Sequence, residues 1–597
     1  MKETVIELLE KRLRETPDRI YLKHREAGQG WRGMTWSEYG LRIEQVSRAL
    51  MALGVHPGDK VALIGNTSPD WFVVDMSIMT LGCVTAPIYF SSSTEQIAYI
   101  LNHSDSRFLI VLNPEYMPRV QSALSECNGI EKVITPDEID IADNPCFIKR
   151  SEFERAGNTL PHKQLQKARK DVASEDVATF IYTSGTTGPP KACMIMQKNC
   201  YHSATSVGAS LGFLHAQVDP ITVCCFMTPA HVFERSNAML SPIVSGAVVY
   251  FGDISKALEE IQEIKPVVVM GLPRTWEKIY ETIMSHRGTL SADEQKFFDW
   301  ALDIGMQYNK AIYEKRSIPS ELQDQYRSAK ELVINKILAP LGFDNAKHFM
   351  TGGAVSSKEV IDFFFAIGVW ICQVYGQTEA LGVGSIGTRE MRRFGSVGIP
   401  FPGVEAKIAE DGEILLRGGV ISAGYYKEPE LTGETIRDGW LYTGDLGQID
   451  ADGYLYIIGR KKDIIITSGA KNITPAKIEA ALMGCPLVEY AVVVGEGRKY
   501  LTALLTLSLD GGIAFAKRIG LAANTYEDLL ARKELRAEIE KYVQKINEKY
   551  SRVEQIKKFA ILSEPLSIEN GELTMINKIK RYVIIEKHVA EIDKMYS

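Results

Sequence analysis

The sequence contains no Cys-x-x-Cys pair, no low-complexity tract, no repeat with a period of 20–50 residues and no apolar run long enough to cross a bilayer. Each absence removes a class of protein. Nine cysteines scattered over 597 residues, two of them adjacent at Cys224 and Cys225, match neither a zinc ribbon nor a disulfide framework and suit a reducing compartment. Without repeats, solenoids and propellers drop out. The longest strongly apolar run, 363–372, is half of the roughly 20 residues that a spanning helix requires. The N-terminal stretch 1–19 mixes charged and apolar residues at helical spacing and lacks the continuous apolar core of a signal peptide, so a cytoplasmic protein is expected. Basic residues are not in surplus either: 68 Lys and Arg face 75 Asp and Glu, a net charge of −7, which offers no global attraction to nucleic acid. A phosphate-bearing ligand must then be held by local groups.

What the chain does have is core-forming capacity, with 45% hydrophobic and 24% charged residues, as in a globular protein. Short β-rich runs at 60–65, 108–112, 177–183, 247–252 and 266–271 recur between helical patterns, and this predicts an α/β fold with parallel-rich sheets flanked by helices. Residues 285–345 read as a charged helical insertion, opened by a Ser291/Glu294 capping box and stepping through Phe297, Ala301, Ile304, Tyr308 and Ile312. From about 404 to 458, short alternating runs between Gly and Asp turns predict a β-rich subdomain. Strand and helix patterns resume after Arg460. The expected division is therefore a large domain over 1–460 and a smaller, mobile α+β domain over 461–597.

The most distinctive string is YTSGTTGPPK at 182–191, directly after the apolar strand pattern. Hydroxyl side chains at Thr183, Ser184, Thr186 and Thr187, the flexible Gly185 and Gly188, and the charge of Lys191 are what a turn needs to wrap phosphate oxygens. It is not a Walker loop, because Pro190 and Ala192 flank the lysine where that motif has Gly and Ser or Thr.

The string resembles the signature of the adenylate-forming superfamily: acyl-CoA synthetases, firefly luciferase and peptide-synthetase adenylation domains. That family's other stretches follow in order, as TPAHVFERS (228–236), GLPRTWEKIY (271–280), TGGA (351–354), VYGQTEA (374–380), GYYKEPELT (424–432), WLYTGDLG (440–447), GRKKDIIITSGAKNITPAKIE (459–479) and LTMINKIKR (573–581). The resemblance implies an enzyme using ATP, Mg²⁺ and coenzyme A on a carboxylic acid. It implies Thr183–Gly188 and Lys191 on phosphates; Gly353, Ala354, Tyr375, Gly376 and Gln377 around the adenine; and Thr378 on the α-phosphate. It puts Glu379 on the metal, where a hard carboxylate suits Mg²⁺. Asp445 and Arg460 would hold the ribose, His231 and Gly352 would face the carboxylate and acyl chain, and Lys578, with Lys580 two residues later as the alternative register, would bridge carboxylate and α-phosphate. Lys462 would be the hinge, and Gly469 would line the approach of the thiol.

Two stretches depart from family usage: ACMIMQKN after Lys191, and the segment before Lys578, which lacks the common Ser-Gly. The second resembles the long-chain fatty acyl-CoA synthetase branch, as do HVFERS, PRTWEKIY and the helical insertion, and the acyl tunnel is expected between 228–250 and 350–385. Medium-chain, aromatic or alicyclic acids, a carrier-protein thiol as acceptor, a luciferase-like oxygenase and a noncatalytic adenylate binder share most of these residues. Expected partners are small molecules, with no nucleic acid and no transmembrane segment; peripheral membrane contact stays open.

Overall fold

The computed structural model describes all residues except 1, 27–29, 141–143, 184–188, 213–219, 355, 390–391, 469–471 and 575–576, and the side chains of 211–212. A first sheet of seven strands runs in the order Phe147–Lys149, Lys132–Thr135, Ser106–Val111, Lys60–Ile64, Val84–Ile88, Val177–Thr183, Lys191–Met196. Its neighbours are parallel up to the last pair, which is antiparallel with Thr183 opposite Lys191. The Ser/Thr/Gly string is therefore the connection of a hairpin at the sheet edge. Thr183 and Lys191 mark its ends, while Ser184, Gly185, Thr186, Thr187 and Gly188 lie outside the described residues.

A second sheet of nine strands has a parallel centre of Val248–Phe251, Thr222–Cys225, Val268–Gly271, His348–Gly352 and Ile371–Tyr375. Antiparallel strands close both edges, with Ser385–Ile386 and Ile399–Pro400 at one and Gly30–Thr35 at the other. Parallel strands require crossovers, and the helices that supply them cover the sheet faces, which is why these strands read as continuous apolar runs. The expected β-rich stretch forms a five-stranded antiparallel sheet that includes Glu413–Gly418, Trp440–Ile449 and Leu455–Arg460. Beyond it, a three-stranded sheet of Val488–Val494, Leu501–Leu507 and Ile556–Ile561 packs with helices Pro475–Met483 and Lys533–Asn547 around its own core of Ile478, Val493, Leu505 and Ile539.

The helical insertion is present, and the Ser291/Glu294 capping box caps helix Ala292–Tyr313. Its buried stripe differs from the expected one. Ala301 and Ile304 are buried as expected, but Phe297 is 57% and Ile312 37% exposed, and Phe298, Gly305 and Ala311 complete the inward face. The reason is Gly305: a Cβ there would overlap the carbonyl of Ala366, so this helix lies directly on helix Lys358–Ala366 and its rotation is set by that close approach.

Between the two large sheets, Arg235 and Asp75 form a bidentate ion pair at 2.8 and 3.0 Å with neither side chain exposed. The guanidinium also donates to the Pro229 carbonyl at 3.2 Å and lies over the Trp71 ring. Arg235 begins a π-helical stretch, Arg235–Leu240, immediately after the HVFE segment, a backbone irregularity that tends to mark functional sites. Asp75→Ala strands the buried guanidinium and should lower unfolding free energy by about 3–5 kcal/mol, read as a shift in denaturation midpoint. Asp75→Leu combined with Arg235→Met should recover most of that loss. If the double variant is no more stable than Asp75→Ala, the stranded charge is not its cause.

Candidate active site

Strands His348–Gly352 and Ile371–Tyr375 end side by side, with Gly352 opposite Val374. A Cβ on Gly352 would sit 2.6 Å from Val374 Cγ2 and 2.8 Å from the Val374 carbonyl, so only glycine allows this spacing. Gly353 follows at φ +86°, a left-handed conformation, and leaves an open place bounded by Leu272 Cδ2 at 3.5 Å and Lys578 Nζ at 3.9 Å from its ideal Cβ. Ala354 beside it is exposed. After Tyr375, Gly376 lets the chain turn against Gly382, where any Cβ would overlap backbone. Gln377 then leads into the short 3₁₀ turn Thr378–Ala380. Crevices at the carboxyl ends of parallel strands are where α/β proteins bind ligands.

The antiparallel sheet reaches the same crevice. Asp445 and Arg460 are cross-strand partners, and Arg460 Nε lies 3.0 Å from Asp445 Oδ1. Tyr375 Oη donates to Asp445 Oδ2 at 2.8 Å. Asp445 is 5% exposed, and burial pushes its carboxyl up, while Arg460, Tyr375 and Lys578 pull it down. Glu379 is half-buried and accepts a hydrogen bond from the Tyr425 hydroxyl. Cys193 of strand Lys191–Met196 packs below, with Sγ 3.8 Å from the Thr378 carbonyl.

Lys578 comes from the C-terminal region. Leu573 and Ile579 bridge in antiparallel fashion, Thr574 N donates to the Lys578 carbonyl at 2.8 Å, and Asn577 at φ +57° closes the hairpin. Lys578 reaches from the C-terminal region to Gly353 and is exposed to solvent. Removal from bulk water and the neighbouring Arg460 lower its pKa, Asp445 opposes them, and the open side limits the loss of charge. Lys580 instead begins helix Arg581–Lys587, with its backbone N–H on the Glu572 carbonyl. Lys462 lies in the 3₁₀ turn Lys461–Asp463, its pKa lowered by burial and by Arg460 and Lys191. Lys191, Arg460, Lys462 and Lys578 thus converge as a group of cations. His231 caps the HVFE turn through Nδ1, which accepts from the Phe233 N–H at 3.3 Å. Burial, with Lys578 nearby, drops its pKa to about 4, so the imidazole is neutral at physiological pH.

Among the expected site residues, the structure gathers Lys191, His231, Gly352, Gly353, Tyr375, Glu379, Asp445, Arg460, Lys462 and Lys578 around one crevice, with Gly376, Gln377 and Thr378 on the turn between Tyr375 and Glu379. Gly469 lies outside the described residues. Two groups escaped sequence reasoning. Tyr425 contacts Glu379, and the only sequence signal was its place in GYYKEPELT. Glu234 is fully enclosed and accepts the backbone N–H groups of Phe226 and Met227 at 3.2 and 3.0 Å, which a charged letter three positions after His231 does not announce.

The AMP-binding enzyme family matches residues 9–426, and the AMP-binding enzyme C-terminal domain matches 462–597. The chain is a member of the AMP-binding enzyme family. It is 33% identical over 587 residues to a long-chain-fatty-acid–CoA ligase of Mycobacterium bovis, covering 98% of this chain and 95% of that one. A long-chain-fatty-acid–CoA ligase of Rattus norvegicus is 29% identical, covering 96% and 89%. The fold of this AMP-binding enzyme is similar to that of the adenylation and carrier didomain of a Segniliparus rugosus carboxylic acid reductase in complex with AMP, at TM-score 0.74 and 19% identity over 100% of this chain and 82% of that one. It is also similar to the o-succinylbenzoate–CoA synthetase of Bacillus subtilis with ATP and magnesium, at TM-score 0.66 and 19% identity over 96% and 98%.

Among the described residues no three His, Cys, Asp or Glu side chains gather as a metal-binding group. A single carboxylate suits Mg²⁺, which keeps several waters and takes one or two carboxylates together with substrate phosphates. Glu379 fits such a site. The ring of cations likewise fits a polyphosphate.

Burial pushes the Glu234 carboxyl up from 4.5 to about 7. A folded pKa above the unfolded one stabilises the protein fully below pH 4.5, and that contribution is lost as pH rises through 7. Glu234→Gln removes this titration. The stability of the variant relative to the parent enzyme should therefore climb between pH 5 and 8, with a slope of up to about 1.4 kcal/mol per pH unit in denaturant titrations. Parallel stability profiles would show that Glu234 is ionised throughout.

Proposed function

We propose that this AMP-binding enzyme is an AMP-forming fatty acyl-CoA ligase. The observation that carries the reading is Lys578, delivered by the C-terminal region to the open place at Gly353, with Asp445 and Arg460 close by. In this reading Lys191 and the 184–188 loop hold the phosphates, Thr378 the α-phosphate, and Asp445 with Arg460 the ribose. Gly353, Ala354, Tyr375, Gly376 and Gln377 surround the adenine, and His231 with Gly352 faces the substrate carboxylate. Neutral His231 adds no charge to that carboxylate, which leaves Lys578 as the cation that offsets its repulsion from the phosphates.

A carboxylate oxygen of the acid attacks the α-phosphorus of ATP. The new P–O bond forms as the bond to the β-phosphate oxygen breaks, and pyrophosphate leaves with the electron pair. Mg²⁺ held by Glu379 would neutralise charge on the phosphates. The protein's own work is positioning and electrostatic stabilisation by Lys191 and Lys578. In the second half-reaction the thiolate of coenzyme A attacks the acyl carbonyl carbon, a C–S bond forms and AMP departs. Both reactions cannot present the same groups to one centre, so we infer that residues 461–597 rotate about Lys462, withdrawing Lys578 and bringing the Gly469 segment to the thiol's path. A cytoplasmic setting belongs to the same reading, supported by nine free cysteines.

The long-chain preference draws on the curated relatives and on the apolar mass behind the crevice. Trp276 follows Leu272 by one turn and packs on Phe343, Phe349 and Phe364, with its indole N–H 3.3 Å from the Met350 carbonyl. An acyl chain entering such surroundings contributes up to about 0.8 kcal/mol for each buried CH₂.

Lys578→Ala should reduce acyl-adenylate formation about a hundredfold, on the order of 3 kcal/mol, and largely spare thioester formation from supplied acyl-adenylate. Equal losses in both half-reactions would move the role to another residue. Across saturated acids from acetate to palmitate, kcat/KM should climb several-fold per two carbons until the pocket is filled; a maximum at acetate, benzoate or cyclohexanecarboxylate would overturn the long-chain assignment while leaving the adenylation chemistry in place.

A further inference from the structure

The GYYKEPELT stretch has no role in the reading above, yet its backbone is built into the nucleotide crevice. Residues 423–426 run along the free edge of strand Lys191–Met196 as an added antiparallel segment. Ala423 N donates to the Met194 carbonyl at 3.0 Å, Met194 N to the Gly424 carbonyl at 2.8 Å, and Tyr426 N to the Ala192 carbonyl at 2.9 Å, with Cys193 bridged to Tyr425. Gly424 sits at φ +98°, and a Cβ there would overlap Thr432. Thr432, on helix Pro429–Thr435, accepts the Tyr425 N–H at 2.9 Å, and its own hydroxyl reaches the Glu428 carbonyl at 2.8 Å. Gly424, Glu428 and Thr432 of the motif therefore anchor the backbone at Tyr425.

Extended backbone alternates its side chains, so the two tyrosines face opposite ways. Tyr426 lies over Phe180 at 4.8 Å and gives its hydroxyl to Asp105 at 2.7 Å, behind the phosphate-loop hairpin. Tyr425 faces the crevice and gives its hydroxyl to Glu379 Oε1. A carboxylate on the short 3₁₀ turn Thr378–Ala380 has free rotation about its own side-chain bonds. One fixed donor on Oε1 removes much of that freedom and leaves Oε2 for a cation.

We propose that Tyr425 is a positioning residue for Glu379, holding one carboxylate oxygen so that the other is presented to the magnesium ion that accompanies ATP. The hydroxyl ties the metal carboxylate to the strand that begins at Lys191, so Lys191 and Glu379 keep a constant separation. This rests on Glu379 being the metal carboxylate, and the test separates the two claims. ATP binding to the full-length enzyme is measured by calorimetry with and without Mg²⁺ in the absence of acid and coenzyme A, for the parent enzyme, Tyr425→Phe, Tyr426→Phe and Glu379→Gln. Tyr425→Phe should lose about fivefold or more of the Mg²⁺-dependent gain in affinity while binding metal-free ATP as the parent does. In ATP–pyrophosphate exchange with a fatty acid, its Mg²⁺ midpoint should rise by a similar factor, with thioester formation from supplied acyl-adenylate unchanged. Tyr426→Phe loses a hydroxyl contact on the other side and should leave the Mg²⁺ dependence alone. If Glu379→Gln loses the gain but Tyr425→Phe keeps it, the positioning role is overturned and Glu379 retains its part; if Glu379→Gln also keeps it, both fall. Equal effects of the two phenylalanine variants would reduce Tyr425 to a general packing contribution and overturn the proposal as well.

Discussion

Mutual repulsion among cations is the constraint around which this crevice is organised. Lys191 comes from the first sheet, Arg460 from the antiparallel sheet, Lys462 from the turn beyond it and Lys578 from the C-terminal hairpin. Lys462 feels both Arg460 and Lys191, and Lys578 feels Arg460. Like charges gathered in a cleft disfavour one another, and Asp445 is the buried counter-charge that Arg460 and Lys578 share. A polyphosphate completes that balance. In the proposed reaction such an arrangement is preorganised for an anion, so little reorganisation is needed as negative charge shifts among the phosphoryl and leaving-group oxygens.

Holding these groups in place requires ion pairs that take no part in ligand contact. Arg235 and Asp75 join the helix after His231 to the helix Pro69–Thr80 deep in the core. In the C-terminal region Arg581 grips Glu479 through two contacts of 2.6 Å, and Glu479 also accepts the Val493 N–H at 2.7 Å. Arg581 is three residues beyond Lys578, so this pair fixes the base of the hairpin that carries the lysine. Each pair spans distant parts of the sequence, and each would leave a stranded charge if one member were lost.

Much of the architecture was legible from local pattern. Apolar runs of four to seven residues marked the parallel strands, the Gly and Asp turns after 404 marked the antiparallel sheet, and Ser291 with Glu294 marked a helix start. The insertion's inward face was legible at Ala301 and Ile304 and misplaced at Phe297 and Ile312, because helical periodicity gives a stripe without its exact phase. Gly305 resting on the Ala366 carbonyl set that phase, a contact between residues 61 apart that no spacing rule contains.

The sequence by itself determined the hydroxyl- and glycine-rich turn ending in Lys191, while Glu379 and Lys578 stood out among many carboxylates and lysines only through the resemblance to family motifs. Residue type and local spacing are sufficient for such a turn, since each group's intrinsic chemistry is carried by its own atoms. Only the tertiary structure decided that Asp445 meets Tyr375 and Arg460, that His231 is held neutral, that Lys578 and not Lys580 reaches Gly353, and that Tyr425 holds Glu379. These are through-space effects. Burial and neighbouring charge set protonation and orientation, and both depend on which strands lie side by side after the chain has folded.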